Sequence, residues 1–145
     1  MPEREFALKV VTPDREVWNG RATSVVVPGL DGYFGVWAGH APLIAGMGLG
    51  AVLIRTPEEH VIKFCAVAGG FIEISAAGVT VLAEAAELGE DIDVIRADQA
   101  LTRARERLSK HFADIDIDRA QVALRKALNR KRVADRAKEK PTVMV

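Results

Sequence analysis

Between Glu84 and Ala97 (EAAELGEDIDVIRA) the chain changes the period of its apolar residues. Upstream they alternate with small or polar residues at period two, the repeat of a half-buried strand. Downstream they recur at steps of three and four, the repeat of one helix face. Gly89 interrupts the backbone at this point, and Asp91 or Asp93 is placed to cap a helix, because a short carboxylate accepts bonds from the free N–H groups of a first turn. The chain therefore divides into a β half and an α half. Its 145 residues suffice for one good core or for a small domain with an appendage.

Charge divides at the same place. Residues 1–90 hold 6 Lys/Arg against 11 Asp/Glu, a net of −5, while residues 91–145 hold 14 against 9, a net of +5. An anionic partner is expected to meet the second half. Cys65 is alone, which excludes an intrachain disulfide and a zinc site of several thiolates, and its apolar neighbours predict an inert buried thiol. The N-terminal MPEREF lacks the apolar region of a secretory signal, and no run of eighteen apolar residues occurs. The expectation is a soluble, cytosolic chain, peripheral to a membrane only through a partner.

In the β half, Phe6–Thr12 reads as a strand turned by Pro13-Asp14, followed by Glu16–Gly20 and Ala22–Val27. Residues 29–50 hold seven glycines, which predicts tight corners. Ala51–Arg55, His60–Ala68, Phe71–Ser75 and Val79–Ala83 read as further strands, with Gly69-Gly70 as a break. About ten short strands at near-regular spacing describe an antiparallel sandwich or barrel. In the α half, Val94, Ala97, Leu101, Ala104 and Leu108 form a narrow stripe suited to one neighbouring helix. Residues 111–118 read as a polar turn, and a second helix from about Ile117 repeats Ile117, Ala120, Leu124 and Ala127. The two form an antiparallel hairpin. Residues 131–145 read as a fraying charged tail. The expected division is a sandwich over 1–88, a helical hairpin over 89–136 and a flexible tail over 137–145. An alanine-rich pair of helices buries too little apolar surface to stand alone, so it must lean on the sheet, a ligand or another protein.

Arg96, Arg103, Arg107 and Lys110 share one side of the first helix, and Arg119, Lys126 and Arg130 one side of the second. Spacing alone leaves open a solvated face, an anion or nucleotide site built on guanidinium forks, and an acidic protein partner. Without aromatic interleaving, nucleic acid is not indicated. No phosphate-binding loop, serine-nucleophile or zinc-protease motif is present. His40, His60 and His111 lie in separate segments without metal-ligand spacing, and Asp114, Asp116 and Asp118 lack the glycine and terminal Glu of a calcium loop, so capping accounts for them better.

Several stretches taken together carry a resemblance across essentially the whole chain. They are Val11-Thr12-Pro13-Asp14, Gly39-His40-Ala41-Pro42-Leu43, Ala68-Gly69-Gly70-Phe71-Ile72-Glu73, Val79-Thr80-Val81-Leu82-Ala83, Glu90-Asp91-Ile92-Asp93-Val94-Ile95-Arg96-Ala97 and Ala127-Leu128-Asn129-Arg130. In this order the chain resembles the epsilon subunit family of bacterial and chloroplast F-type ATP synthases (delta in mitochondria). The resemblance implies a ten-stranded β-sandwich and a helical hairpin, and a non-catalytic regulatory role. The implied partners are the gamma subunit and the c-ring for the sandwich, with Tyr33 and His40 at that interface. The hairpin is implied to fold on the sandwich or extend along gamma, where the basic face of Arg119, Arg125, Lys126 and Arg130 meets acidic segments of the alpha and beta subunits and blocks ATP hydrolysis. No cofactor is required, but regulatory ATP, with or without Mg, is implied at Ile92, Asp93, Arg96 and Ala97 together with Glu87, Arg103, Arg119, Lys126 and Arg130. Lys126 stands where well-binding members have arginine, which predicts weaker binding. Tyr33 stands where the family commonly has Glu in the turn facing the c-ring. The implied location is the cytoplasmic face of a bacterial plasma membrane, with the thylakoid as alternative. Rival functions are a free-standing nucleotide-binding regulatory module and a small hydrolase hidden in the sandwich.

Overall fold

The computed structural model describes residues 4–58, 61–110 and 114–139, with side chains of the second helix described from Ile117 onward. His60, His111 and the expected tail beyond residue 139 lie outside the described residues. The β half consists of β1 (Phe6–Val11), β2 (Glu16–Ala22), β3 (Ser24–Gly29), β4 (Gly32–Trp37), β5 (Leu43–Arg55), β6 (Ile62–Ser75) and β7 (Gly78–Leu88). These make one sheet in the order β2-β1-β7-β6-β5-β3-β4. Seven described strands replace the ten or so expected, because glycines read as breaks lie inside strands. Gly69 and Gly70 adopt φ of 70° and 112° without ending the 14-residue β6. A side chain at Gly70 would collide with the Leu82 carbonyl, so the bend needs glycine. The bend also resets the alternation: Val67 and Ile72, an odd number of residues apart, both face the core. Pairing is antiparallel except between β1 and β7, which run parallel with Leu8 opposite Val79. That crossover departs from the all-antiparallel expectation.

Leu8, Val10, Val25, Val27 and Val36 are fully buried in a single cluster that draws on every strand. None of them belongs to the smaller cluster beneath the helices, so only the sheet's own far half can cover them. The sheet is thus folded over itself as a sandwich. Cys65 lies inside it, and burial pushes its thiol up to about 12.

After β7 a single 3-10 turn (Gly89–Asp91) leads into α1 (Val94–Ser109), and α2 covers Asp114–Lys138. Of the two expected caps it is Asp93 that serves, its Oδ1 accepting the Arg96 backbone N–H at 3.1 Å. Ala97, Leu101 and Ala104 of the α1 stripe are buried, as are Ala120 and Ala127 of α2. The hairpin expectation holds, with two corrections. The polar turn is shorter than expected, since Asp114 to Asp118 are already helical. Residues 131–138 do not fray: α2 is 25 residues long, and Val133 and Ala134 are 1% exposed against Ala51 and Ala66 of the sheet. Apolar contact outweighed the local charge of that segment, which was all the sequence displayed.

Candidate functional site

The outer face of β5 and β6 is apolar over most of its length, with Glu73 opposite Ile44 near one end and Arg55 at the other. Ala51, Leu53, Phe64 and Ala66 occupy one end, and there α2 and Ile92 are seated on them. At the other end Phe71 stands opposite Gly46 on β5 and Leu82 on β7, and Leu30 lies against Gly46 from the β3–β4 turn. With Ile44 these form a band left uncovered by the hairpin: Leu30 and Ile44 are 73% and 70% exposed and Phe71 57%. A contiguous apolar surface of this kind marks an interaction site.

Polar contacts fasten the hairpin at its covered end. Arg130 Nε donates to Glu87 Oε1 at 3.0 Å, with both side chains about one-third exposed. Asn129 Nδ2 donates to the Gly50 carbonyl at 2.8 Å. Lys63 pairs with Glu90 at 3.3 Å and the Arg136 guanidinium sits 4.6 Å from the Phe64 ring centroid, while within the hairpin Lys131 of α2 pairs with Asp98 of α1 at 3.1 Å. Each of these half-wet contacts contributes under about 1 kcal/mol.

Between α2 and the sheet a cleft of about 210 Å³ is lined by Lys126, Asn129 and Arg130 from the helix and Glu87 from β7. Its floor is small and apolar, including Ala66, Ala68, Ala85 and Ala86, and Arg15 of the β1–β2 turn reaches its rim. The volume falls below the ~300 Å³ at which small-molecule sites begin. It admits one phosphate-sized or ring-sized part of a larger anion rather than a nucleotide whole.

Of the residues singled out from sequence, the cleft therefore gathers Glu87, Lys126 and Arg130. Asp93 and Arg96 pair with each other at 3.5 Å at the start of α1. Ile92 and Ala97 are packing residues, buried at the foot of the hairpin. Arg103 lies in a separate shallow depression of α1 with Ile95 and Glu106, and Arg119 and Arg125 are exposed elsewhere on α2. Arg15 was missed, since a lone arginine in a turn carries no periodic signal. Tyr33 on β4 is 58% exposed, yet its hydroxyl reaches the end of the sheet that the hairpin covers, where it accepts the Ala51 backbone N–H at 3.0 Å. His40 is exposed, its Nδ1 2.7 Å from the Ala41 carbonyl. Among the described residues no three His, Cys, Asp or Glu side chains converge as a metal site requires. No helix of the described residues is long and apolar enough to cross a membrane.

Two family models match adjoining parts of the chain: the ATP synthase delta/epsilon chain β-sandwich domain over residues 5–89 and the delta/epsilon chain long α-helix domain over residues 90–135. Among similar proteins is the ATP synthase epsilon chain of Symbiobacterium thermophilum, 45% identical over 90% of this chain and 93% of that one. That of Syntrophomonas wolfei is 41% identical over 97% and 99%. A chain in the Euglena gracilis mitochondrial ATP synthase (OSCP/F1/c-ring) superposes with a TM-score of 0.72 at 20% identity, covering 86% of this chain and 78% of that one, a likeness of fold.

Proposed function

The chain belongs to the ATP synthase delta/epsilon chain family, and from that premise we propose that it couples rotation of gamma and the c-ring to ATP synthesis and restrains ATP hydrolysis through its C-terminal helices. As a member it is a non-catalytic subunit of the synthase. The observation that carries the finer reading is the division of one apolar sheet face. One end is covered by the hairpin through alanine-rich contacts, and the other, from Leu30 to Leu82, is open to a partner. Gamma is the partner assigned to the open band, with the β3–β4 turn and the His40 loop toward the c-ring. In this reading the subunit works at the cytoplasmic face of a bacterial membrane, held there by the complex.

The covered end supports the regulatory part. A hairpin held by small side chains and half-wet ion pairs can leave the sheet without exposing the sandwich interior, and its freed cations suit acidic segments of alpha and beta. Regulatory ATP at the cleft of Glu87, Lys126 and Arg130 favours the docked position, since a ligand stabilises whichever state binds it. Neutralising Arg119, Lys126 and Arg130 together in the assembled complex is expected to raise ATP hydrolysis severalfold while leaving assembly intact. Hydrolysis unchanged in an intact complex removes the inhibitory role. For ATP, titration of the chain with Mg-ATP is expected to saturate and to weaken in Lys126→Ala and Arg130→Ala, which line the cleft. No heat at millimolar ATP removes the sensing role.

A further inference from the structure

Arg15 occupies a turn whose backbone is fixed independently of its side chain. Thr12 Oγ1 accepts the backbone N–H groups of Asp14 and Arg15, each at 3.3 Å, and the Thr12 N–H donates to the Arg15 carbonyl at 2.9 Å. β1, which precedes this turn, lies beside β7 with Val11 opposite Leu82, so the turn is carried toward Ala85 and Glu87. The guanidinium thus reaches the rim of the cleft opposite α2. The Cys65 thiol beneath the cleft feels both the Glu87 carboxylate and the Arg15 guanidinium, in opposite senses.

The charges around the cleft do not balance. Arg15, Lys126 and Arg130 face one carboxylate, Glu87, and that carboxylate is engaged by Arg130. Among the described residues neither Arg15 nor Lys126 has an ion-pair partner. Like charges gathered without counter-charge repel, and an anion between them reverses the sign of that interaction. The alanine floor offers no side-chain acceptor that would compete with it.

We propose that Arg15 is the sheet's own contribution to the anion cleft, so that one phosphate group of a chain that enters it is gripped by Arg15 from the sandwich and by Lys126 and Arg130 from the hairpin. The inference rests on the nucleotide reading above and adds to it: the ligand bridges the two halves, and its affinity depends on a residue outside the helices. The ligand class is a polyphosphate, carried by a nucleoside triphosphate or free as tripolyphosphate.

Calorimetric titration of the full chain with Mg-ATP and, separately, with magnesium tripolyphosphate tests this. The chains compared are the unmodified one, Arg15→Ala, Arg15→Lys, and Arg21→Ala as a loss of one exposed charge paired elsewhere with Glu5. Arg15→Ala is expected to weaken both ligands about fivefold to thirtyfold, as loss of a charge-assisted hydrogen bond does. Arg15→Lys recovers part of the loss, and Arg21→Ala shifts binding less than about twofold because salt screens distant exposed charge. Mg-ATP bound equally by Arg15→Ala and the unmodified chain overturns the proposal and leaves the nucleotide reading standing. Weakening confined to Mg-ATP, with tripolyphosphate held as before, also overturns it, because Arg15 then meets the base or ribose. Neither ligand bound by the unmodified chain overturns the proposal and the nucleotide reading together.

Discussion

The sandwich interior and the seam beneath α2 are both dry and apolar, but they are built from different side chains. The interior holds 17 buried residues, of which only two are alanine. The seam holds six, of which four are alanine. Large aliphatic groups interlock and leave cavities when removed, whereas alanines bring backbones close with little area to lose. The first region resists change as a unit; the second holds an element in place without committing it.

Five substitutions break or sharpen this contrast. Leu8→Ala, in the interior, is expected to cost about 2–5 kcal/mol, seen as a global loss in denaturant melts with early labelling of Cys65 by a thiol reagent. A loss of less than about 1 kcal/mol there would mean the interior is no better packed than the seam. Gly89→Val is expected to cost about 1–3 kcal/mol, since a Cβ at Gly89 would lie 2.7 Å from Ala137 Cβ and 2.9 Å from the Val133 carbonyl. Hydrogen exchange should rise along α2 while Cys65 stays protected, and exchange rising equally in β6 would erase the distinction. Asn129→Ala removes the bond to the Gly50 carbonyl at a cost of about 1 kcal/mol, again confined to the hairpin by exchange. Arg130→Gln, breaking a pair that water already reaches, is expected to change stability by less than about 1 kcal/mol. A larger loss would make the ion pair, rather than the alanine contacts, the principal tie. Cys65 adds a pH signature to the interior alone. Its proton is held more tightly when folded, so its contribution is whole below pH 9 and is lost as pH rises toward 12; Cys65→Val removes that slope.

How much of this was legible depended on how local each signal was. The junction could be read because a change of period, a glycine and a capping carboxylate fall within a few residues, and the structure puts the 3-10 turn and the Asp93 cap there. Gly69-Gly70 misled because a glycine pair looks the same whether it ends a strand or bends one; the deciding contact, the Leu82 carbonyl, is on another strand. The last turns of α2 were read as tail because Lys131, Arg132 and Arg136 dominate that stretch, while the partners of Val133 and Ala134 lie more than sixty positions upstream on β5 and β6. In the candidate site the helix cations had a spacing to betray them. Arg15 had none, and the pairing that delivers it to the cleft joins the first strand to the last.

That same pairing sets an order of events for a chain leaving the ribosome. β1 is made first, yet one of its two neighbours is β7, so it must wait unpaired on that flank until residue 88 has emerged. Linking ends so far apart is slow and keeps an apolar strand in water meanwhile. The two helices appear only after the sandwich can close, which means the portion synthesised last is laid upon a surface already finished, and its removal need not undo what came before.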